Sequence, residues 1–157
     1  MTVTRNLTDV DVDAGIDVDP RRATGGELDR CFAELPAGPL PVGFGSGTAL
    51  IGSGMLRRLL AGVARVGFWR GKVFSADGTS LRNVITPFGL RAIGAAVRHD
   101  VSIADGRPCV VLDYAQTSRV ARWIRDEIRE LSPGRYLGIV FVRGHRLPVR
   151  FLLDFDA

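Results

Sequence analysis

The chain of 157 residues is short of several residue types on which common chemistries depend. Its two cysteines, Cys31 and Cys109, form no C-x-x-C pair and cannot build a disulfide scaffold, which points to reduced thiols and a cytoplasmic setting. Its two histidines, His99 and His145, supply too little for a structural zinc site or a histidine-based triad. Gly43-Phe-Gly-Ser-Gly47 lacks the last glycine of a dinucleotide fingerprint and the acid that follows it, so no cofactor is expected. Residues 1–19 contain Arg5 as their only basic group and no apolar run, which argues against a secretory signal. The longest uncharged run, Leu35 to Leu56, holds six glycines and three prolines. Those breakers exclude a stable membrane span.

What is present is the composition of a globular domain, with 46% hydrophobic and 24% charged residues. The net charge of +4 is unevenly spread: five aspartates between Asp9 and Asp19 against Arg5 give the first twenty residues −4, leaving +8 elsewhere. The D-x-D-x-D run from Asp9 to Asp13 departs from an EF-hand, because Ala14 and Pro20 stand where glycine and glutamate are required. Residues 1–23 therefore read as a disordered acidic tail, and 24–157 as one domain. Of the 21 basic groups twenty are arginine and one is Lys72. The arginines are scattered and often sit beside acids, so no nucleic-acid surface is expected.

Thr24-Gly-Gly-Glu27 has capping-box spacing, and Leu28, Cys31, Phe32 and Leu35 share a helical face up to Pro36. A glycine-rich strand follows around Val42 to Thr48. Ser53 then caps a second short helix with an apolar stripe from Met55 to Val63. From Val66 the period changes to two. Strands at 66–74 and 79–85 flank an Asp77-Gly78 turn, and strands at 90–99 and 107–114 flank Asp105-Gly106. Residues 118–131 have a helical pattern, with Thr117-Ser118 as cap and Ser132-Pro-Gly134 as stop. Strands at 136–142 and 147–155 complete the chain, the last with Leu147, Val149, Phe151, Leu153 and Phe155 on one face. About seven short strands on tight links predict a mainly β, antiparallel barrel, closed or nearly so, with that helix in its C-terminal half. An α+β roll wrapped around the 118–131 helix is the alternative.

Gly67-Phe-Trp69-Arg-Gly71-Lys72, Asn83, Asp105-Gly-Arg107, Leu112-Asp-Tyr114, Thr117-Ser118, Ile124-Arg-Asp-Glu-Ile-Arg129 and Pro133-Gly-Arg-Tyr-Leu-Gly138 occur in one order along the chain. This series resembles uncharacterised small bacterial proteins with a G-x-W-x-G-K segment, regarded as calycin-like, that is, lipocalin-like or nitrobindin-like. The resemblance implies a barrel that encloses apolar ligands. Haem-binding relatives in the wider nitrobindin-like group use a late-strand histidine. Here only His145 comes late, in a turn, so haem is not carried over.

On the Trp69 strand, strict alternation puts Gly67, Trp69, Gly71 and Val73 on one face and Phe68, Arg70, Lys72 and Phe74 on the other. Trp69 then either closes one end of a cavity between glycines or is simply the largest core residue. Lys72 can polarise a carbonyl, since an ammonium loses its charge on burial more readily than a guanidinium, or it lies on the surface. Tyr114 shares parity with Val110 and Leu112, which directs its phenol inward to donate to a ligand oxygen and leaves Asp113 outside. In the 118–131 helix, Arg122, Asp126 and Arg129 are spaced for weak surface ion pairs, and Arg125 and Glu127 fall at a barrel mouth if the helix crosses it. Two functions fit. One is a binding protein for a mainly apolar, carbonyl-bearing molecule held by Trp69, Tyr114, Arg125 and Glu127. The other is a cofactor-free isomerase or cyclase acting on a polyketide-like or other natural-product intermediate, with Tyr114 and Lys72 catalytic. A homodimer is compatible with either.

Overall fold

In the computed structural model, residues 19–51, 69–85, 90–119 and 121–155 are described. The acidic run before Asp19 and the Ser53 helix lie outside them, as does the Pro87-Phe-Gly89 link. The capping box forms: Thr24 accepts from the Glu27 amide, the Glu27 carboxylate accepts from the Thr24 amide, and helix α1 runs over Gly25–Glu34. Its buried side chains Leu28, Cys31 and Phe32, with Leu35 just beyond it, lie against Leu137, Ile139, Phe141 and Leu152. Burying each such side chain contributes about 1.5–3 kcal/mol. Ion pairs from Asp29 to Arg146 and Arg150 pin the polar edge of the helix.

The strands are β1 (Gly43–Ile51), β2 (Trp69–Phe74), β3 (Ser80–Ile85), β4 (Leu90–Val101), β5 (Pro108–Asp113), β6 (Ile124–Ser132), β7 (Arg135–Val142) and β8 (His145–Asp154). Each pairs antiparallel with the next, and β1 also pairs with β8, which closes the barrel. Closure removes both sheet edges. The tight turns fall where positive φ is needed, at Gly78, Gly106 and Gly134. The closed antiparallel barrel is the expected architecture. The α+β alternative is not, because residues 124–132 of its central helix form a strand.

Residues 124–132 are strand β6, paired with β5 and β7, and not the C-terminal part of a helix over 118–131. Ile124 and Ile128 are four apart, a spacing that serves a helix or the same face of a strand equally well. The decision comes from burial. Asp126, Glu127 and Arg129 are buried, so the charges that look like a solvated helix face are inside the protein. Ser132-Pro-Gly134 is accordingly a hairpin turn and not a helix stop. This strand also makes the count eight.

Side chains alternate between two cores. Val110, Leu112, Ile128, Tyr136, Phe151 and Leu153 fill the barrel, while Leu137, Ile139, Phe141 and Leu152 face outward under α1. Three glycines admit aromatic rings: a Cβ at Gly45, Gly47 or Gly138 would lie 2.6, 2.4 or 2.2 Å from the rings of Phe155, Trp69 and Phe151 respectively. The glycine that makes room for Trp69 is therefore Gly47 across the sheet, and the ring occupies that room. Among the described residues no helix is long and apolar enough to cross a membrane.

Candidate functional site

Strand β2 carries a bulge. Trp69 pairs with Ile85 but Gly71 pairs with Val84, and Gly71 takes φ +146° where a Cβ would meet the Gly45 carbonyl oxygen at 2.0 Å. Only glycine tolerates such an approach. The bulge breaks the strict alternation expected for this strand. Trp69 and Lys72, predicted on opposite faces, both enter the barrel: Trp69 Nε1 donates to Asn83 Oδ1 at 3.2 Å and Lys72 Nζ to the same oxygen at 2.9 Å. Val73 is only half-buried and Phe74 is buried, the reverse of the simple parity.

Lys72 is the centre of the cluster. Its Nζ also donates to Tyr114 Oη at 2.6 Å and to Asp126 Oδ2 at 3.0 Å. Tyr114 Oη donates to Asp126 Oδ2 at 3.1 Å and accepts from Asn83 Nδ2 at 3.2 Å. The other Asn83 amide hydrogen goes to the Ile93 carbonyl at 3.0 Å. The rings of Trp69, Tyr114 and Phe151 stand 5.3–5.4 Å from Nζ and add cation–π attraction. Lys72, Asn83, Tyr114 and Asp126 are all buried, at 3%, 7%, 2% and 5% exposure. Burial by itself pulls the Lys72 ammonium down, but Tyr114 and Asp126 beside it outweigh that and raise it above its ordinary 10.5, so the amine is cationic. Burial and then the Asp126 carboxylate push Tyr114 up to about 12.

The cluster belongs to the half of the barrel nearer Trp69 and Ile124. The opposite half is closed by Phe74, Leu81, Leu153 and Tyr136, with Leu40 and Phe155 packed on them. Inward residues at the cluster's end, Ile124 and Val140, are only half-buried.

Tyr114 thus faces inward, and Asp113 stays outside in an ion pair with Arg98 at 3.1 Å. The Tyr114 proton, however, is donated to Asp126. Arg125 and Glu127 do not lie at a mouth of the barrel beside the cluster: both point outward from β6. Glu127 accepts from the Ser102 hydroxyl, from the Ile103 amide at 3.0 Å and from Arg125 Nε at 2.9 Å. Arg125 Nη2 donates to the Val101 carbonyl at 2.8 Å, so the pair anchors the β4–β5 hairpin. One step along the same face, buried Arg129 grips both Asp105 oxygens at 2.7 Å and the Phe32 carbonyl at 2.8 Å, fastening that hairpin to α1. The surface pairs expected within a helix are replaced for Asp126 and Arg129 by partners distant in sequence, while the Arg122 guanidinium stacks on the neighbouring Trp123 ring. His99 Nε2 lies 2.8 Å from the Gly38 carbonyl and His145 is exposed, so neither ring lies in the barrel.

Asp126 and Asn83 are the site residues that sequence reasoning overlooked. Reading Ile124-Arg-Asp-Glu-Ile at period two places an acid between two isoleucines on one face, a signal for a buried carboxylate.

The fold and cluster define a class: a closed, eight-stranded antiparallel barrel with a single cationic ammonium bridging an acid, a phenol and an amide in its interior. No family model and no curated protein matches the chain. Its structure is similar to the crystal structure of a protein from Thermomonospora curvata, at 18% identity and TM-score 0.63 over 86% of this chain and 89% of that one. That likeness concerns the fold.

Proposed function

We propose that the protein encloses a mainly apolar small molecule, its body against Trp69 and its one polar group beside Lys72, Asn83, Tyr114 and Asp126. The observation that carries this reading is the ion pair inside the barrel, 3.0 Å between Lys72 Nζ and Asp126 Oδ2. Stability is a weak reason for it, since apolar residues of similar volume in place of a buried pair are often neutral or stabilising by about 1–4 kcal/mol. Fixed polar groups in an apolar chamber are what a small-molecule site requires. Eight-stranded barrels have room for core side chains or one such ligand, as in lipocalins, and the calycin-like resemblance belongs to this reading. Free, buried Cys31 and Cys109 fit a reducing cytoplasm. Organic extraction of the natively purified protein followed by mass spectrometry tests it. A stoichiometric small molecule is the expected result. If none is recovered, and no hydrophobic compound alters Trp69 fluorescence in a Trp123→Phe background, the reading is wrong.

A second reading, a cofactor-free isomerase or cyclase, draws on Asp126. A buried carboxylate inside the barrel is suited to accept a proton from a bound molecule. In that case Lys72 and Tyr114 position Asp126. Conversion of the extracted compound on incubation with the protein would favour it.

A further inference from the structure

The hydrogen-bonding capacity of the cluster can be counted atom by atom. The three Lys72 hydrogens go to Asn83 Oδ1, Tyr114 Oη and Asp126 Oδ2. Asn83 Oδ1 accepts from Lys72 and Trp69, and both amide hydrogens of Asn83 are donated, to Ile93 and Tyr114. Tyr114 donates once, to Asp126, and accepts twice, from Lys72 and Asn83. The Trp69 indole N–H is spent on Asn83. Every donor in the cluster is therefore engaged, and so are the lone pairs of Asn83 Oδ1 and Tyr114 Oη.

One atom differs. Asp126 Oδ2 takes both Lys72 and Tyr114, while no donor of the described residues reaches Oδ1. Asp126 keeps 7% of its side chain accessible although it points into the barrel, and Oδ2 is covered by Lys72 and Tyr114, which leaves Oδ1 as the oxygen on the accessible side. Lys72 and Tyr114, clamped on Oδ2, fix the direction in which Oδ1 points.

We infer that the polar group of the enclosed molecule is a hydrogen-bond donor, a hydroxyl or an N–H, received by Asp126 Oδ1. It is not the carbonyl that the phenol and ammonium taken alone would select. This rests on the enclosure reading above and narrows its ligand class. A carbonyl would have to displace one of the donors from its present acceptor, and it would face the Asp126 carboxylate lone pairs. A donor completes the network without breaking any of it.

Three probes on one ring system test this: naphthol, which donates; methyl naphthyl ketone, which only accepts; and naphthalene, which does neither. Calorimetric titration of the full chain at neutral pH should show naphthol binding roughly tenfold to a hundredfold more tightly than the ketone, the range expected for one hydrogen bond to a charged acceptor. In Asp126→Asn the amide oxygen stays with Lys72 and Tyr114, which turns an N–H toward the ligand. The preference should then reverse in favour of the ketone. Equal binding of all three probes would keep the enclosure reading and overturn this one. Ketone preference in the unaltered protein would overturn it too, independently of whether the variant folds. Binding of none of the three would overturn this inference, and the enclosure reading falls with it when extraction also recovers no small molecule.

Discussion

Replacing Lys72 by methionine isolates what the buried cation does. The substitution keeps an unbranched chain of similar length but leaves the Asp126 carboxylate in the barrel with the Tyr114 hydroxyl as its remaining donor. Breaking a buried pair by removing one partner costs about 3–5 kcal/mol, a large part of the roughly 5–15 kcal/mol that holds a domain folded. At about 2–4 °C per kcal/mol for a chain of this size, the melting temperature should fall by roughly 6–20 °C. Removing Asp126 as well, in Lys72→Met/Asp126→Leu, takes the stranded charge away. Asn83 keeps Trp69 and the Ile93 carbonyl, and Tyr114 keeps Asn83, so the remaining loss is the acceptor of the Tyr114 proton, about 1–3 kcal/mol. The double variant should therefore be more stable than the single one by about 2 kcal/mol, the difference between the centres of those two ranges, the loss of the lysine being common to both. Urea unfolding at neutral pH with unchanged slope is the assay. A double variant no more stable than Lys72→Met would refute the claim that an uncompensated Asp126 charge dominates.

Three further outcomes rest on the buried tyrosines, the buried cysteines and the contact at Gly47. Burial pushes both tyrosines, Tyr114 and Tyr136, up to about 12 from an ordinary 10, so the native protein should show little phenolate absorbance at pH 10. Because these folded-state values lie above the unfolded ones, their contribution to stability is intact below pH 10 and is lost as the pH rises towards 12; the raised Lys72 acts in the same direction above 10.5. Burial, then Glu127, lifts the Cys109 thiol to about 12, and burial raises Cys31 as well, so neither should react with a thiol reagent at neutral pH until the protein unfolds. Gly47→Ala would put a methyl group 2.4 Å from the Trp69 ring, which should destabilise the barrel by about 1–3 kcal/mol and alter Trp69 emission in a Trp123→Phe background. An unchanged spectrum would show that the ring does not rest on Gly47.

Much of the barrel was legible because local rules and the fold agree. The Thr24 capping box, the glycine turns at Gly78 and Gly106, and the alternation of Phe151, Leu153 and Phe155 each depend on neighbours within a few residues. Such signals need no knowledge of what lies across the sheet. The inward turn of Tyr114 is legible for the same reason, since Val110 and Leu112 fix its parity.

Tertiary structure alone decided the rest, and in each case the cause is a partner far along the chain. Residues 124–132 carry a pattern that suits a helix or a strand. They become β6 because Asp126 meets Lys72, Arg129 meets Asp105 and Glu127 meets Ser102, contacts that allow charges to be buried. The bulge at Gly71 depends on the close approach of Gly45, and it turns Lys72 inward beside Trp69 where period-two counting separates them. Composition and spacing supplied the lysine, the tyrosine and the acid. Closing eight strands into a ring brought them within hydrogen-bonding distance, because register and closure are set by all the strands together.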